Sequence, residues 1–210
     1  MLNMKIMKNY IILFALFINI NCKAQIREPN RILSRSQTQI SYDFQNGDYI
    51  MDTTNNLNIY EGTWLYNDNH GTIFTLRLQR KNRLLNDLPG GTYGFDDNII
   101  ATYKLEKNGV VLFDNLSAIL PVRVLATFED GYFGYFCNYT TFNDLDGTFH
   151  DVPYQIISDC TIKKLPVIAG QSEKISFKLY GAFRLNPHSF YEALPAPFSI
   201  PNNIVLTKQP

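Results

Sequence analysis

Apolar and polar residues alternate in run after run of this chain, and short Asn/Asp/Gly turns separate the runs. A period of two puts successive side chains on opposite faces of a strand, so a chain written this way is confined to β-structure. In 59–66, Tyr60, Gly62, Trp64 and Tyr66 share a face. A turn at 67–71 follows, because Asn, Asp and Gly tolerate left-handed backbone angles. The next run, 72–80, sets Phe74, Leu76 and Leu78 against Thr75, Arg77 and Gln79. Two alternating runs around a turn predict a β-hairpin. Ile99, Ala101, Tyr103 and Leu105 repeat the design before Asn108-Gly109, and Asn-Gly is the strongest short hairpin signal.

Further strands are expected at 110–113, 122–128, 132–139, 154–164, 175–179 and 204–208, giving nine or ten in all. No window shows a 3.6-residue period. The expected fold class is all-β: an antiparallel meander that closes as a barrel or folds as a two-sheet sandwich. Closure removes exposed edges, the main hazard of such a sheet. Residues 25–39 (QIREPNRILSRSQTQ) are polar and aperiodic and read as a linker, and 40–210 reads as a single β domain. Residues 182–201 carry four prolines and read as a long surface loop.

The first 24 residues set the expected address. Lys5 and Lys8 precede an apolar run, 11–18, which ends in N-I-N-C-K-A. A basic start, a short apolar core and a small-residue exit make a secretory signal peptide. The run is far below the ~20 residues that span a bilayer. The protein is therefore expected in the periplasm, at the outer membrane or outside the cell, with no transmembrane segment after signal removal. Cleavage after Ala24 discards Lys5, Lys8 and Lys23, leaving 16 basic and 19 acidic residues and a net charge of −3. That balance excludes a nucleic-acid binder, which needs a basic face. The less favoured exit is acylation at Cys22, where Asn19-Ile20-Asn21 makes a poor lipobox. With Cys22 removed, Cys137 and Cys160 remain. They either pair as a disulfide, as an exported chain permits, or stand as two buried thiols.

Motifs for chemistry are sparse. His70, His150 and His188 show no metal-ligand spacing. His150-Asp151 could orient an imidazole, but no activated nucleophile accompanies it. Asp144-Leu145-Asp146-Gly147 resembles part of a calcium loop, yet Phe142 stands where the first ligand belongs and no glutamate closes it, so a turn is expected. Asp96-Asp97-Asn98 is read as another turn. Asp52-Thr53-Thr54 is similar to a short O-glycosylation motif of exported Bacteroidetes proteins. No cofactor, metal site or catalytic residue is assigned.

Ile59-Tyr60-Glu61-Gly62-Thr63-Trp64-Leu65-Tyr66, the strand around Phe74, and 198–208 (FSIPNNIVLTK) together resemble a family of uncharacterised secreted or envelope proteins of Bacteroidetes. That resemblance implies an envelope address and no known activity. The Gly-Thr-Trp opening is also similar to the first strand of lipocalins, which implies a lipocalin-like barrel. The aromatics Trp64, Tyr66 and Phe74 then either face a ligand or fill the core. The function expected is a non-enzymatic binding or interaction domain whose partner is a small apolar ligand, a glycan or an envelope protein. The alternatives are an extracytoplasmic hydrolase and a structural or assembly component.

Overall fold

The computed structural model describes residues 27–34, 45–87, 91–120, 123–125, 135–137, 144–186, 189–193 and 198–210. The expected signal peptide, Cys22 and His188 lie outside these residues. The fold is all-β, as the alternation requires. Among the described residues thirteen strands join one mixed sheet. They are β1 (Arg31–Ser34), β2 (Asp48–Met51), β3 (Gly62–Asn67), β4 (Thr72–Asp87), β5 (Tyr93–Lys107), β6 (Val110–Asp114), β7 (Arg123–Leu125), β8 (Tyr135–Cys137), β9 (Asp144–Asp151), β10 (Ile156–Lys164), β11 (Lys174–Asn186), β12 (Ser189–Ala193) and β13 (Ile204–Lys208).

The body is a meander. β3, β4 and β5 pair as successive antiparallel neighbours, and so do β8, β9, β10 and β11. β13 joins β11 to β3. The seams between the two groups are narrow. β5 meets β8 only at Ile99↔Phe136 and Ile100↔Tyr135, and β13 meets β3 only at Thr207↔Leu65 and Lys208↔Trp64. Two broad ladders therefore face each other, the two-sheet packing of the sequence reading rather than an evenly closed barrel. Their inner faces touch directly. Phe74 of β4 lies 5.6 Å from Phe177 of β11, and Tyr103 of β5 lies 5.1 Å from Phe149 of β9, centroid to centroid. The inward positions predicted by alternation, Phe74, Leu76, Leu78, Ile99, Ala101, Tyr103 and Leu105, are all in this core.

β4 and β5 outrun the body. The β3 ladder stops at Gly62↔Leu78, whereas β4 and β5 stay paired to Asp87↔Tyr93. A bulge between Lys81 and Leu84, with Arg83 at φ 54, bends the extension. There β5 adds β2, β2 adds β1 and β4 adds β7, each in parallel. A five-stranded flap, β1–β2–β5–β4–β7, thus projects from the two-layer body.

Several sequence readings change. The segment taken as a linker contributes β1. The 182–201 stretch is not one loop, since β12 pairs back on β11 at Phe183↔Ala193. Asp96-Asp97-Asn98 lies inside β5 and is buried, and Asp144–Gly147 lies inside β9. The connection between the strands expected at 122–128 and 132–139 lies outside the described residues.

Truncating Phe177, which packs on both Phe74 and Phe149, removes one of the contacts that join the layers. Phe177→Ala is expected to cost about 3–5 kcal/mol, measured by urea unfolding of the mature chain.

Candidate functional site

The densest polar cluster welds the flap to the body. Asp97 on β5 points inward, and its two oxygens accept from the Tyr49 hydroxyl at 2.6 Å, the Asp52 amide at 3.0 Å, the Arg83 amide at 3.0 Å and the Arg80 guanidinium at 3.2 Å. Asp52 follows β2, and its carboxylate accepts the amides of Asn56 (3.1 Å) and Leu57 (2.9 Å), capping a 3-10 turn at Asn56–Tyr60. Arg80 lies between the two acids, 3.7 Å from Asp52, and also donates to Asn55 and Asn58. Burial, followed by the neighbouring Asp97, pushes the Tyr49 phenol well above its usual range. Paired carboxylates can serve acid–base chemistry, but these oxygens are saturated. A carboxylate that accepts four donors keeps no lone pair for a metal or a substrate proton. The cluster is scaffolding. The hydroxyl-bearing residues of the Asp52-Thr53-Thr54 motif, Thr53 and Thr54, are exposed beside it.

A second cluster places a hydroxyl beside a carboxylate. Asp151, at the end of β9, accepts from both the amide (2.5 Å) and the hydroxyl of Ser199. The sequence offered His150-Asp151 as a candidate for orienting an imidazole. Strand alternation separates the two: Leu145, Phe149 and Asp151 face the core, and His150 faces out. Burial lowers the His150 pKa, opposed by Asp151. The Ser199 proton is held by Asp151 and the imidazole lies on the other face, so no base–nucleophile relay forms. Asp151 instead latches the segment before β13 onto the body, beside the Tyr103 hydroxyl that accepts the Val152 amide at 3.0 Å.

The aromatics resolve toward packing. Trp64 and Phe74 are fully buried in the core, and Tyr66 packs against it half-buried. The Trp64 indole donates to the Tyr60 carbonyl at 2.9 Å. Lys164 and Lys208 stand over its ring at 4.9 and 5.4 Å from the centroid. Glu173 accepts from both lysines, at 2.6 and 3.1 Å. These two hydrogen bonds hold the Glu173 carboxyl below the usual glutamate range.

Cys160 is a free, buried thiol whose pKa burial raises. Its expected partner, Cys137, lies across β9. Cys160 registers with Gly147 and Cys137 with Asp146, one step along. Two strand spacings make about 9–10 Å between their backbones, beyond the roughly 7 Å that a disulfide bridges. On this register the two cysteines stand apart, and Cys160 is a free thiol.

What remains is surface. Val110, Val111 and Leu112 in β6 are 60, 49 and 47% exposed, and Ile119 beyond it is 91% exposed. Among the described residues β6 pairs only with β5. Leu112 is the extra residue of a bulge, since Phe113 opposes Leu105 while Val111 opposes Glu106. The sequence reading treated 110–113 as an ordinary strand, although four consecutive apolar residues break alternation and were a legible signal of it. Among the described residues, no group of three or more His, Cys, Asp or Glu side chains could hold a metal ion, and no helix is long and apolar enough to cross a membrane.

The model of a family of unknown function (DUF6705) matches residues 4–209. No curated protein and no solved structure matches the chain.

Two outcomes are expected. Asp97→Asn weakens the acceptor of a buried arginine and should destabilise the chain by about 3 kcal/mol, read from its urea midpoint at unchanged m-value. Glu173 has a depressed folded pKa, so its stabilising contribution is full above the ordinary carboxylate range and is lost as pH falls through the lower folded value. Fluorescence of Trp64, the single tryptophan of the chain, should report a transition below pH of about 4.3 that Glu173→Gln removes.

Proposed function

The chain belongs to DUF6705, a family of unknown function, and from that premise we propose that it is an exported, non-enzymatic interaction domain that docks an envelope protein through β6 and the turn beyond it. The observation that carries this reading is the exposed apolar run Val110–Leu112 with Ile119. Monomeric proteins rarely leave such residues contiguous, and where they do, the patch marks a contact with a partner. The bulge at Leu112 disfavours strand addition, because it puts this edge out of ladder register. A partner therefore meets β6 side chain to side chain, with an apolar patch of its own.

Two facts support an interaction role over a hydrolase. The buried acids Asp52, Asp97 and Asp151 are occupied by structural donors. His150 stands on the face opposite the Ser199 hydroxyl that Asp151 holds, and the Thr161 hydroxyl on its own face is held by Asp146 at 2.5 Å. The export reading rests on the basic and apolar start of the chain.

The test places a photo-reactive amino acid at Val111 in host cells, with exposed Lys178 on the opposite layer as control. A discrete adduct from Val111 alone, abolished by Val110→Lys with Leu112→Lys at unchanged Tm, is expected. Identical adduct patterns from both positions would sink the proposal.

A further inference from the structure

The N-terminal strand is attached differently from every strand of the body. β1 contributes nothing to the core, and Ile32, facing the Tyr49 side, is 60% exposed. Beyond its backbone ladder to β2, what holds it is charge. Arg31 grips the buried carboxylate of Asp48 with two hydrogen bonds, at 3.0 and 2.7 Å. Just before the strand, Arg27 pairs with Asp87 at 2.5 Å and Glu28 pairs with Arg83.

We propose that the β2 edge is an acceptor site for an extended segment bearing the charge order Arg-Glu-x-x-Arg, and that its second occupant is β1 of another copy of this chain, exchanged for the resident strand. Three arguments carry it. Release of β1 uncovers little apolar surface, and the flanking pairs Arg27–Asp87 and Glu28–Arg83, which lie at the surface, contribute little each and weaken with salt. The vacated edge is nevertheless selective. Asp48 is 1% exposed, and a carboxylate this buried is costly to leave without its guanidinium. Only a strand that returns an arginine there relieves it, and the planar fork of arginine fits that carboxylate as lysine does not. Finally, Arg-Glu-x-x-Arg occurs once in the sequence, at 27–31. An identical strand supplies every contact without a new interface, which makes exchange a low-cost route to a dimer. This inference is independent of the β6 reading.

The side chains of Ser34 and Thr53 meet at 2.6 Å between oxygens, so cysteines there trap the strand in place. Mature S34C/T53C is prepared with and without ¹⁵N, mixed at high salt, returned to low salt and oxidised. Peptide mapping should find 34–53 linkages joining labelled to unlabelled chains, in a share that rises with protein concentration. Linkages confined to single chains at every concentration overturn the proposal. A second readout uses charge. R31E and D48R each break the pair within one chain, whereas a strand-exchanged heterodimer restores both pairs. Dimers should form in the mixture and in neither variant alone. If D48R does not fold, the cysteine result decides.

Discussion

The β4–β5 ladder is the element on which the rest of the molecule depends. Its pairing runs from Thr72↔Lys107 to Asp87↔Tyr93, interrupted by one bulge. Its first half supplies the inner wall of the core, and its second half is the spine of the flap. A ladder that serves two bodies must hold its register across their boundary. Asp97 does this by accepting, from one position in β5, donors on the β2 side, on the bulge and on Arg80. Removing hydrogen-bond partners from a buried charge costs more than the bonds themselves contribute.

Much of the body was legible in the sequence because its signals are local. Alternation in 72–80 and 99–105 named the inward residues, and Asn108-Gly109 named the turn. The flap was not legible. Asp96-Asp97-Asn98 reads as a turn since three consecutive polar residues do not suggest an interior. They are interior because their partners, Tyr49 and Asp52, lie more than forty residues away, which no local pattern encodes. β1 was missed for a related reason. It is four residues long, and Arg31 is set by its ion pair with Asp48, so no apolar rhythm marks it. Gly147 was read as a turn residue, yet it sits inside β9 opposite Cys160.

The candidate site followed the same division. Residues that look chemical in the sequence, acids beside hydroxyls and a histidine beside an aspartate, are consumed by architecture or parted by strand alternation. Trp64, offered as ligand-facing or core, belongs to the core, with two lysines and Glu173 closing over it. The residues left facing outward without a structural task are apolar ones on an edge strand. Chemistry-bearing residue types were therefore a poor guide here, and broken alternation was a better one.

The pairing of β3 with β13 has a consequence for the order of events in folding. Trp64 registers with Lys208, two residues from the last residue given. Contacts this distant in sequence are entropically slow to close. A chain that emerges N-terminus first holds β3, β4 and β5 as a sheet lacking its opposite wall until β9 and β11 bring Phe149 and Phe177, and the seam to β3 closes only with β13. During that interval Phe74 and Tyr103 face solvent, and the kinetic hazard of this protein is concentrated there rather than in its finished state.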